Sequence, residues 1–182
     1  MNNVSINLNE IIAKSVTQST LDVFSTMLGV EIASGQAAVE AGMPEANEAV
    51  VSFIGLAGSW AGTGSVSCSA VLACRICAQM LMCETAAVNE EVLDTVAELT
   101  NMIVGSVKTE LEQHLGPLGL SIPTVVYGRN FKTKSAGNTE WIVVRFQWDD
   151  ETLVVKLCLE PKEQAAHVLF HTSSTQSCAL EV

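Results

Sequence analysis

Residues Leu93–Leu115, LDTVAELTNMIVGSVKTELEQHL, carry apolar side chains at a spacing that a helix gathers onto one side. At about 100° per residue, Leu93, Val96, Ala97, Thr100, Ile103, Val104, Val107, Leu111 and Leu115 share one face. A face of that size has to be covered, so the rest of the chain must supply a layer for it to pack on. Asn89 and the two glutamates after it suit the N-terminus of this helix as a cap with favourable charge. Gly116 and Pro117 end it.

The polar side of the same helix is less ordinary. Glu98 and Asn101 point away from the apolar face, one turn apart and about 60° apart around the axis, and Gly105 falls between and below them. A carboxylate and an amide thus project side by side over a spot that has no side chain. Glycine inside a helix costs about 1 kcal/mol relative to alanine, and no core packing needs it here. Gly105 therefore reads as clearance for an approaching partner. Glu and Asn are also common on solvated helix faces, so this stretch by itself does not separate a docking site from plain surface; its setting in the chain does.

The covering layer is visible on both sides of the helix. Residues Leu8–Leu28 form a long first helix stopped by Gly29. Strand-like runs follow at 37–41, 49–56 and 62–69, with GLAGSWAGTG as the turn between the last two and Trp60 in its loop. Ala70–Cys83 is apolar nearly all round and reads as a short buried helix. Beyond the long helix come strands at 124–131, 140–148 and 152–160, and WIVVRFQW joined by DDE to TLVVKLCL is the clearest hairpin signal in the chain. The order helix, three strands, short helix, long helix, three strands suggests duplication, with the two long helices roughly 90 residues apart and closing on the similar phrases STMLGVEI and GPLGLSI. An α+β fold is expected: an antiparallel sheet of about six strands packed by long helices, in two pseudo-duplicated halves. Residues 1–160 form this domain. Residues 161–182 form a tail with a short helix around Gln164–His171 and a mobile end.

Charge and cysteine usage narrow the function. With 20 acidic against 9 basic residues, a net charge of -11 and no Lys/Arg run, the chain is repelled by a phosphate backbone, which argues against nucleic acid as a partner. No apolar run reaches the roughly 18 residues that span a bilayer, and the start MNNVSINLNE lacks a secretory pattern, so a cytoplasmic protein with six reduced cysteines is expected. Cys74 and Cys77 form a C-x-x-C without a second ligand pair and read as core packing. His167 and His171, with Cys178 nearby, lack the further ligand a metal site needs, so no metal is expected.

The element order, with FIGLAGSWAGTGSVSCSAVLACRICAQML before the long helix and ELTNMIVGSVKTEL within it, resembles the CheX-type members of the CheC/CheX/FliY phosphatases of bacterial chemotaxis. Their pattern is Glu, two residues, Asn and a Gly-containing continuation on an exposed helix, preceded by a Gly-rich hairpin and a short apolar helix. The resemblance covers Leu8 to about Glu160. It implies a phosphatase for the phosphoaspartate of a CheY-like receiver domain and a homodimer. On this resemblance Asn101 enters the receiver's site and its amide holds a water in line with the phosphorus, while Glu98 pairs with the receiver's lysine and fixes the register. Gly105 lets the two backbones approach. An amide can donate to and accept from a water without bringing charge toward an anionic phosphoryl group. Magnesium is expected on the receiver, with no cofactor on this chain. The first helix offers EIIA, with Glu10 but Ala13 in place of the amide, so one site per chain is expected. The same helix in a catalytically silent receiver-binding module, and a redox or metal protein using Cys74 and Cys77, are the alternatives.

Overall fold

The computed structural model describes residues 7–41, 46–131 and 140–162. Helix α1, Leu8–Val23, begins at Asn7, whose side chain accepts from the Asn9 amide, and passes into a π-helical turn, Phe24–Leu28. Gly29 closes it in the left-handed region at φ 67, where glycine is at ease. Then follow β1 (Ala33–Ser34), β2 (Ala38–Ala41), β3 (Ala46–Gly58), β4 (Trp60–Cys68), α2 (Ala70–Leu81), α3 (Glu90–Leu115), β5 (Leu118–Leu120), β6 (Thr124–Phe131), β7 (Glu140–Trp148) and β8 (Glu151–Pro161).

The strands form one antiparallel sheet in the order β1-β7-β8-β4-β3-β5, with β2 also paired to β7 and β6 also paired to β3. Among the described residues there are eight strands rather than about six. The two that the sequence does not reveal, β1 and β5, are two and three residues long, too short for alternation to register. The doubled order takes a definite form in space. The outer strands of the first half, β1 and β2, pair with β7 of the second, and β5 and β6 pair with β3 of the first, while β4 and β8 join at the centre from Trp60↔Pro161 to Ser67↔Val154. Each half completes the other's sheet, so neither closes alone.

Helix α3 packs on the sheet and is flanked by α1 and α2. Val92, Thr95, Val96, Leu99, Thr100, Ile103, Val104, Val107 and Leu111 are buried on it, whereas Leu93, Ala97 and Leu115 of the expected face are only half-buried. The buried arc is turned from the expected one toward Val92, Thr95 and Leu99 because the flanking helices cover α3 as well as the sheet. Full burial of a side chain such as Leu99 or Ile103 contributes about 1.5–3 kcal/mol. The depth of α3 is set at Gly64 on β4, where an added Cβ would lie 2.8 Å from Val104 Cγ2 and 3.2 Å from Ile54 Cγ2.

The last β3–β4 pair is Ala57↔Ala61, so the hairpin turns over Gly58, Ser59 and Trp60, with Gly58 paired outward to Leu118 and Trp60 to Pro161. Trp60 is thus the first residue of β4 and packs partly buried against the core, not in a loop. Arg75 on α2 lies 3.9 Å above the Trp148 ring and reaches Asp149 at 2.5 Å, fastening α2 to the β7–β8 hairpin.

Candidate functional site

Helix α3 is fixed at both ends, which matters for any side chain it presents. Asn89 caps it by accepting from the Val92 amide at 3.0 Å, and Glu90 and Glu91 place negative charge in its first turn. At the other end Lys108 pairs with Glu112 at 2.9 Å, and Glu112 Oε1 accepts from the Leu118 amide at 2.8 Å. The Leu118 amide and then Lys108 hold the Glu112 carboxyl below the usual carboxylate range. The Glu112–Leu118 bond ties the C-terminal end of α3 to β5, so the segment between cap and tie is a rod held at both ends.

Glu98 and Asn101 are both exposed in the middle of that rod. Among the described residues no hydrogen bond or ion pair engages either side chain. Measured around the helix axis, the buried residues centre opposite the stripe formed by Glu98, Asn101 and Gly105, so a body approaching from solvent meets these residues first. Gly105 is half-buried, and its carbonyl accepts from Thr109 Oγ1 at 3.0 Å. A Cβ added there would meet one side chain, Leu120 Cδ1, at 3.9 Å, an ordinary contact. Packing within the chain therefore does not require glycine at 105. Leu120 borders this bare spot; it comes from β5, which has no sequence signal of its own.

Helix α1 does not repeat the arrangement. Its one glutamate and one asparagine, Glu10 and Asn9, are adjacent and so about 100° apart, unable to project side by side. Ala13, where a second amide would stand, is half-buried.

The five described cysteines are all free thiols. Cys74 is half-buried and Cys77 fully buried. Burial, with Glu151 nearby, pushes the Cys68 thiol up to about 12, and burial pushes Cys158 to about 11, so both stay protonated at neutral pH. His167, His171, Cys178 and the expected helix Gln164–His171 lie outside the described residues. No helix among the described residues is long and apolar enough to cross a membrane.

The sequence and the fold are similar to those of known chemotaxis proteins. The family model for the chemotaxis phosphatase CheX matches residues 50–147, which include β4, α2 and all of α3. The CheY-P phosphatase CheX of Thermotoga maritima is 30% identical over 128 residues, 69% of this chain and 81% of that protein. The crystal structure of CheX from Desulfovibrio desulfuricans is 27% identical with a TM-score of 0.73, covering 82% of this chain and 99% of that one. The CheX of the CheX–CheY–BeF3–Mg2+ complex from Borrelia burgdorferi is 25% identical with a TM-score of 0.67, covering 81% of this chain and 96% of that one. By its sequence and its fold, the chain belongs to the chemotaxis phosphatase CheX family.

Proposed function

We propose that this chain dephosphorylates the phosphoaspartate of a CheY-like receiver domain, with Asn101 orienting the attacking water and Glu98 pairing with a receiver lysine. The observation that carries the reading is the pair itself: an amide and a carboxylate, exposed and unengaged among the described residues on a helix held at both ends, directed away from the core beside a position that has no side chain. Membership of the family and the likeness to a CheX captured with CheY support it.

The chemistry asks little of the side chains. Water oxygen bonds to phosphorus as the bond to the aspartyl oxygen breaks, giving inorganic phosphate and a free carboxylate. In a loose transition state the attacking water needs alignment more than deprotonation, and the amide supplies one donor and one acceptor direction for it. The receiver's magnesium neutralises charge on the phosphoryl oxygens. Glu98, being exposed, adds about 0–1 kcal/mol in an ion pair, so its main work is register, with a small contribution to affinity. Gly105 and the Leu120 rim set how near the receiver's backbone comes. The same reading places the protein in the cytoplasm as a homodimer with one site per chain, β6 at the edge of the sheet providing a strand on which a second copy can add.

The test is to incubate the purified protein with phosphorylated receivers and follow phosphate release against each receiver's own rate of loss. Acceleration is expected with at least one receiver. Binding without acceleration would mean a silent receiver-binding module.

A further inference from the structure

The C-x-x-C pair that stands out in the sequence is not the pair that the fold brings into a ligand set. Cys77 Sγ, Cys83 Sγ and a carboxylate oxygen of Glu91 all lie within 4.8 Å of one another, and Cys74 stands outside the group. Cys77 is fully buried on α2, Cys83 is half-buried just past Met82, the left-handed residue that ends α2, and Glu91 lies exposed in the first turn of α3. Two hydroxyls line the group. Thr85 Oγ1 lies 3.5 Å from Cys83 Sγ and 3.8 Å from Cys77 Sγ, and Thr95 Oγ1, 2.7 Å from the Glu91 carbonyl, lies 3.5 Å from Cys77 Sγ.

We propose that Cys77, Cys83 and Glu91 bind a zinc ion, linking the end of α2 to the start of α3. Two sulfurs and one oxygen suit zinc and disfavour magnesium or calcium, which prefer oxygen alone. Zinc–sulfur bonds of about 2.3 Å in a tetrahedron place the two sulfurs about 3.8 Å apart, so the group has to close by at most about 1 Å. Cys83 and Glu91 supply that movement, since neither is locked in the core. Two thiolates and a carboxylate outweigh the ion by one negative charge, which is the sign the N-terminus of α3 favours. Thr85 is placed to donate a hydrogen bond to one of the sulfurs and orient it, while Thr95 gives its one proton to the Glu91 carbonyl and steadies the first turn of α3. With three protein ligands the fourth position is open to water. Glu91 lies two turns before Glu98 on nearly the same side of α3, so the ion clamps the helix that carries the exposed stripe.

The experiment uses the full chain with reduced thiols. Equilibrium dialysis with zinc is expected to give one ion per chain, and titration with cadmium as a spectroscopic probe is expected to give a sulfur-to-metal absorption band saturating at the same ratio. Zinc should also raise the melting temperature. Cys83→Ser and Glu91→Gln, both at accessible positions, should each weaken binding at least tenfold, while Cys74→Ser leaves it unchanged. Cys77→Ser is avoided because the position is fully buried and its loss risks the fold. No saturable binding, binding that persists in Cys83→Ser, binding that requires Cys74, or a Cys77–Cys83 disulfide in place of the ion would each overturn the proposal.

Discussion

Replacing Gly105 separates two explanations that the same residue admits, because stability and activity are expected to move in opposite directions. In the free protein, Gly105→Ala removes a helix-interior glycine, which is worth about 0.8–1 kcal/mol. The new methyl meets Leu120 Cδ1 at 3.9 Å, a contact that adds a little attraction and no clash. The sum is about 1 kcal/mol of stabilisation, or about 2–4 °C in melting temperature for a chain of this size. Gly105→Gln keeps most of that gain, since glutamine is also a good helix former, but its side chain fills the bare spot between Glu98 and Asn101. If the spot is clearance for a receiver, catalysed phosphate release falls mildly in Gly105→Ala and at least tenfold in Gly105→Gln, a loss of about 1.4 kcal/mol of transition-state stabilisation. Melting curves and phosphate release are measured on the same preparations. Full activity in Gly105→Gln refutes the clearance argument, and a lower melting temperature in Gly105→Ala means that the helix packs differently at this point.

Other perturbations test neighbouring steps. Glu98→Gln keeps the shape and removes the charge, so receiver affinity at low salt should fall up to about fivefold and its salt dependence should flatten; calorimetry at two ionic strengths reads both, and an unchanged salt dependence excludes the ion pair. Gly64→Ala forces a Cβ to 2.8 Å from Val104 Cγ2 and should cost about 1–3 kcal/mol in urea unfolding; a neutral result would mean that α3 sits further from β4. Sedimentation equilibrium at micromolar concentration should give twice the chain mass of 19.3 kDa, and a monomer would remove the homodimer from the account.

What could be read from the residues follows from signal length. The 26-residue α3 with its Asn89 cap, and the β7–β8 hairpin, repeat their pattern often enough to be plain in the sequence. The short strands β1 and β5 do not, and with β5 went Leu120, the rim of the bare spot. The sequence pattern puts Trp60 in a loop because glycines on either side imitate a long turn, whereas in the fold Gly62 and Gly64 lie within β4 where β8 and α3 press close. The exposed stripe was legible because periodicity fixes which side of a helix faces out even when the edge of the buried arc is uncertain. Which sulfur lies near which was not legible: Cys77 and Cys83 are six residues apart across a helix end, and Glu91 joins them only because the chain doubles back into α3.

The most direct test of the central claim is the rate of phosphate release from a phosphorylated receiver with Asn101→Ala beside the unaltered chain. Asn101 is exposed, so the substitution should change stability by less than about 0.5 kcal/mol and leave receiver binding largely intact. The account predicts that acceleration disappears, leaving the receiver's own rate, in a protein that still folds and docks. Full acceleration by Asn101→Ala would contradict it, since the water would then be held by some other group.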